Sequence, residues 1–96
     1  MENVIIPMWL YRTRKIVPRL RLLLAGLLTI SDHLKSDTFR VGDVWLSKFA
    51  NRQPITIVKN FQELSQLGII NFMVEDGNIF TITINRTTLD LMKNAN

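Results

Sequence analysis

The chain has 96 residues, of which 47% are hydrophobic and 21% charged, with a net charge of +4. That balance argues against disorder and sets one small domain with a modest core as the expectation. It contains no cysteine and one histidine, His33, which excludes a disulfide framework, a thiolate zinc site and a cysteine nucleophile.

The first apolar stretch, "VIIPMWLYR" at 4–12, is too short to stand alone, and Pro7 suits the start of a helical turn. Trp9 and Tyr11 are expected to pack on the body of the domain. Arg12, Arg14, Lys15, Arg19 and Arg21 then fall within one acid-free run. A solvated basic segment and a phosphate-contacting one both fit that run. "LLLAGLLTI" at 22–30 is short of the ~20 apolar residues of a membrane span, and no A-x-A cleavage pattern follows it. A cytoplasmic chain with no membrane partner is therefore expected.

From Pro18 to about Leu34 the pattern is that of one helix. Leu20, Leu23, Leu24, Leu27, Ile30 and Leu34 share a face at 100° per residue, and Leu22 points away and needs separate cover. Gly26, unfavourable within a helix, is read as a close approach of another backbone. His33 sits where a helix C-terminus favours a cation. "TFRV" at 38–41 alternates as a short strand does. "GDVWLSKFAN" at 42–51 reads as a short helix capped by Asp43, with Trp45, Leu46, Phe49 and Ala50 on its apolar side, ended by Asn51.

A further helix is expected from Gln53–Pro54 to about Leu67. Its buried stripe is Ile57, Phe61, Leu64 and Leu67, with Gly68 as the stop signal. "IINFMVEDGNIFTITIN" at 69–85 reads as a β-hairpin. A three-residue loop Glu75-Asp76-Gly77, with Gly77 left-handed, would pair positions whose numbers sum to 152, and then Ile70, Phe72, Phe80, Ile82 and Ile84 share one face. Residues 87–96 read as a short tail or helix capped by Thr87 or Thr88.

The order helix, strand, short helix, tight turn, helix, hairpin resembles the winged helix-turn-helix domains at the N-termini of phage and plasmid replication initiators and DnaD-like replisome organisers. The likeness covers about 5–85 and rests on "IPMWL", "LRLLLAGLL", "WLSKFANRQPITIVKNFQEL" and "LSQLGIINF". It implies one winged-helix domain over 1–96: an α+β, mostly α fold of three main helices and a C-terminal hairpin wing. Three departures stand out: Arg52 occupies a usually apolar turn position, the second helix carries one base, Lys59, and one acid, Glu63, where strong DNA readers often carry several bases, and the acidic hairpin tip, Glu75-Asp76, opposes a phosphate backbone.

In such a domain the second helix of the pair enters the major groove. The implied base contacts are Ile55, Thr56, Lys59, Gln62 and Gln66, since Gln pairs with adenine and Ile or Thr meets a thymine methyl. The implied phosphate contacts are Arg12, Arg14, Lys15, Arg40, Lys48 and Arg52. The expected function is double-stranded DNA binding in replication initiation or transcription control, with a homodimer or replication proteins as further candidate partners. The alternative is a protein–protein assembly module of a replisome or repressor complex. No Gly-rich phosphate loop, nucleophile elbow or acid–base constellation occurs, so neither enzymatic activity nor a cofactor is expected.

Overall fold

A computed structural model describes residues 7–42, 54–75 and 79–94, with the backbone alone at 11 and 54–56. In chain order the described elements are α1 (Met8–Arg12), α2 (Pro18–Leu34), β1 (Thr38–Gly42), α3 (Pro54–Gln66), β2 (Ile70–Glu75), β3 (Ile79–Ile84) and α4 (Arg86–Asn94). The short helix expected at 42–51 lies outside the described residues. The chain is α+β, with four helices and one antiparallel sheet of order β1-β3-β2 among the described residues. This corrects the expected mostly-α fold ending in a hairpin: the hairpin β2–β3 is inside the chain, β1 completes a three-stranded sheet with it, and α4 follows it.

α2 begins at Pro18, whose missing N–H costs nothing in a first turn. Its buried set is wider than the expected stripe and includes Leu20, Leu23, Leu24, Ala25, Leu27, Leu28 and Ile30. Leu34 is corrected out of that set: it lies in the last turn, just before left-handed Lys35 (φ 55°) ends the helix, and is 54% exposed. Leu22 is half-buried. Gly26 is buried, yet a Cβ built there would meet nothing within 4 Å. Among the described residues, then, no backbone makes the close approach read from the sequence.

α3 buries Ile57, Phe61 and Leu64 completely. It closes in a Schellman motif. Ile69 N–H donates to Leu64 O at 3.1 Å and Gly68 N–H to Ser65 O at 2.9 Å, with Gly68 at φ 78°. The left-handed step turns Ile69 into the core (0% exposed), leaving Leu67 outside at 40% and correcting its place in the stripe. A Cβ at Gly68 would meet only the Thr88 side chain at ordinary contact distance, so the dihedral alone selects glycine here.

In the hairpin Ile70 pairs with Ile84, Phe72 with Ile82, Val74 with Phe80 and Glu75 with Ile79. The sum is thus 154 and not 152, so the connection is 76–78 and Glu75 belongs to β2. The shift is two residues, which preserves the parity of every side chain. Face segregation alone could not separate the two registers; the actual one moves the three-residue connection one residue along the chain, so that Glu75 joins the ladder opposite Ile79. The proposed left-handed Gly77 lies outside the described residues. β1 extends the same inner face, pairing Phe39 with Ile82 and Val41 with Phe80. Phe61 of α3 meets that face, with ring centroids 5.1 Å from Phe80, edge-on, and 5.6 Å from Phe72.

α4 forms as expected near the C-terminus, but its cap is Asn85, whose Oδ1 accepts from Thr88 N–H at 3.2 Å, and not Thr87 or Thr88. Leu89 buries the helix against the core. Arg86 clasps it to the end of α2. Arg86 Nε donates to Asp37 Oδ1 at 2.8 Å and Nη2 to Ser31 Oγ at 2.8 Å; Ser31 Oγ donates to Asp37 Oδ1 at 2.8 Å. The hydrogen bond from Arg86, then that from Ser31, hold the Asp37 carboxyl below its ordinary range.

Two outcomes follow from this packing. Gly26→Ala should raise stability by about 0.5–1 kcal/mol, because a methyl meets no described atom within 4 Å and helix propensity improves, whereas Gly68→Ala should lower it by about 1 kcal/mol through left-handed strain. Urea unfolding of the two variants checks the opposite signs. Asp37 has a depressed folded-state pKa, so its contribution is present above the unfolded value of about 3.9 and is lost as pH falls through the folded one. Asp37→Asn should therefore lower stability near neutral pH and flatten its fall below about pH 4, as read by melts across an acid series.

Candidate nucleic-acid interface

The exposed side of α3 is set by what its other side buries. With Ile57, Phe61 and Leu64 turned to the core, Lys59, Gln62 and Gln66 are all exposed on the outer stripe. Positions 55 and 56 lie in the first turn of α3, and 55 shares the 59–62–66 face at 100° per residue. The side chains of Ile55 and Thr56 lie outside the described residues, as do Lys48 and Arg52 entirely.

The segment between α1 and α2 runs beside this helix. Thr13 is fully buried, and its Oγ1 accepts from Lys15 N–H at 3.2 Å. Arg21 reaches back from α2, donating through Nη2 to Thr13 O at 2.6 Å and through Nε to Ile16 O at 3.1 Å. Ile16 is fully buried. The turn is thus anchored at both ends, and Arg14 and Lys15 between them are exposed, as is Arg12 at the end of α1. Among the described residues none of these three enters an ion pair. A groove of about 250 Å³ lined by Lys15, Val17, Leu20, Glu63, Gln66 and Leu67 joins this turn to α3. It brings Lys15, read as a phosphate contact, to the same surface as Gln66, read as a base contact.

Two other arginines are neutralised on the surface. Arg19 Nη2 donates to both Glu63 oxygens, at 2.7 and 2.6 Å, tying the start of α2 to the border of the α3 stripe. Arg40 extends across the outer face of the sheet to Glu75 at 2.8 Å. Arg40 is thus paired with an acid of the hairpin and is not adjacent to the α3 stripe in any described contact. Arg21 and Arg86 act as internal tethers. Sequence patterning carries no signal for these roles, because Arg19 meets Glu63 across 44 positions and Arg86 meets Ser31 across 55.

No group of three or more His, Asp or Glu side chains able to hold a metal occurs among the described residues. No described helix is long and apolar enough to cross a membrane. Comparison with protein-family models, with curated proteins and with solved structures finds no match.

Proposed function

We propose that this chain binds double-stranded DNA as a winged-helix protein, in phage or plasmid replication initiation or in transcription control, and without enzymatic activity. The observation that carries the reading is the exposed stripe of α3 bordered by an anchored basic turn, with Gln66 and Lys15 lining one groove. α3 takes the part of the helix inserted in the major groove, and β2–β3 that of the wing, with α4 as an addition beyond it.

The chemistry divides by residue. Gln62 and Gln66 offer paired donor and acceptor atoms matched to an adenine edge, and Lys59 donates to guanine. Ile55 and Thr56, at the helix start, suit thymine methyls. Arg12, Arg14 and Lys15, with Lys48 and Arg52, supply sequence-independent phosphate contacts. Arg40 contributes least, because Glu75 already neutralises it. One observation favours the alternative of an assembly module: Met73 and Val74 on the hairpin are 67% and 53% exposed.

A labelled duplex titrated at about 50 and about 200 mM salt tests the reading. With three or more phosphates neutralised, affinity should fall about 40-fold or further between the two. Binding that is absent at low salt, or indifferent to salt, would overturn it. Lys15→Ala should weaken specific and random duplexes alike, whereas Gln62→Ala should narrow the gap between them by about 1–3 kcal/mol. Glu63→Gln, which releases Arg19 at a stability cost under about 1 kcal/mol, should strengthen binding to all sequences.

A further inference from the structure

Among the described residues β2 is an edge of the sheet, since the order is β1-β3-β2. The direction of its backbone groups follows from two hydrogen bonds. Ile84 N–H donates to Asp37 O, on the β1 side, and Asn85 N–H donates to Ile69 O, on the β2 side. Even-numbered residues of β3 therefore bond toward β1, and odd-numbered ones toward β2. Through the register, Asn71, Met73 and Glu75 bond to Thr83, Thr81 and Ile79. The N–H and C=O groups of Ile70, Phe72 and Val74 face outward.

Natural edges are usually blunted by proline, lysine, a bulge or a cover. β2 has no proline and no lysine, and its pairing with β3 runs without a bulge from Ile70 to Glu75. Its two most exposed side chains are apolar, Met73 at 67% and Val74 at 53%. We propose that this edge pairs antiparallel with the same edge of a second copy, about a two-fold axis at Met73.

The strand is self-complementary in that register. Phe72 faces Val74 of the second copy on the inner side, as a hydrogen-bonded pair that satisfies outward-facing groups of both strands. On the outer side Met73 faces Met73, and Asn71 faces Glu75, so the carboxylate meets an amide donor and the two Glu75 side chains stay apart. Glu75 keeps Arg40 as a partner on that same face. Moving the axis to Phe72 instead sets Asn71 against Met73 and Glu75 against Ile69, mixing polar with apolar.

The symmetry has a consequence for α3. Parity is conserved across the axis, so both inner faces look the same way, and the three strands of each copy join in one continuous sheet. The two α3 helices then lie on one side of it, each with Lys59, Gln62 and Gln66 turned outward. A single strand edge buries less than the roughly 1,200 Å² of a stable interface, so the dimer is weak in isolation and is reinforced when both copies share one ligand. The pairing is measurable without DNA, so it stands or falls apart from the DNA reading.

Sedimentation equilibrium of the whole chain up to about 1 mM is the test. The parent chain should pass from monomer to dimer over this range. Val74→Pro removes an outward N–H and leaves the β2–β3 bonds intact; it should weaken dimerisation about tenfold or more, two symmetry-related hydrogen bonds being lost. Met73→Lys and Met73→Glu, each alone, should be monomeric, because like charges meet at the axis, and an equimolar mixture should recover the dimer. The charge-swap mixture decides the question even if Val74→Pro disturbs folding. A parent that stays monomeric at about 1 mM, a dimer that survives both Met73 variants, or a mixture that fails to recover it would overturn the proposal.

Discussion

The contact on which the candidate surface depends is Phe61 against the inner face of the sheet. Its ring meets Phe80 edge-on and lies against Phe72, and it is wholly excluded from solvent. Edge-to-face aromatic packing is directional as well as apolar, so it sets the rotation of α3 about its own axis along with its position. Removing such a ring costs about 3–5 kcal/mol, a large share of a small domain's stability. The outward stripe of Lys59, Gln62 and Gln66 is a consequence of where that ring points.

The second constraint is the separation of arginines by task. Arg21 and Arg86 hold backbone and side-chain oxygens within the fold, Arg19 and Arg40 are neutralised by Glu63 and Glu75, and Arg12, Arg14, Lys15 and Lys59 remain exposed. A net charge of +4 says nothing about this division. Arg12, Arg14 and Lys15 cluster in and beside the turn before α2, which Thr13, Ile16 and Arg21 fix from beneath. On the outer face of the sheet Arg40 and Glu75 neutralise each other. That polarity fits one surface for a polyanion and another for protein contact.

The two surfaces also answer each other energetically. On the proposed DNA reading, one copy of α3 presents one lysine and two glutamines, which supports modest affinity. On the proposed pairing, the β2 edge, unpaired among the described residues, presents two copies together. Neither surface supplies the core, because the described buried cluster is built from α1–α4, β1–β3, Ile16 and Ile69 within one chain.

Much of the fold was legible in the residues themselves. Pro18, the leucine period and Gly68 marked α2 and the end of α3 because they act through local backbone preference and side-chain period. The α3 outer stripe was legible for the same reason: burying Ile57, Phe61 and Leu64 forces the opposite residues outward. What local signals could not decide was anything invariant under their own periodicity. The hairpin register shifted by two without changing a face, so only the tertiary ladder distinguished 154 from 152. Gly26 looked like a packing site, and only the space around it showed that none of the described residues packs within 4 Å of a Cβ built there. Leu34 and Leu67 obeyed the helical period but fell beside left-handed turns that send the chain elsewhere. The partners of Arg19, Arg21, Arg40 and Arg86 were likewise decided by the tertiary structure, because charge complementarity acts through space and leaves no period in the chain.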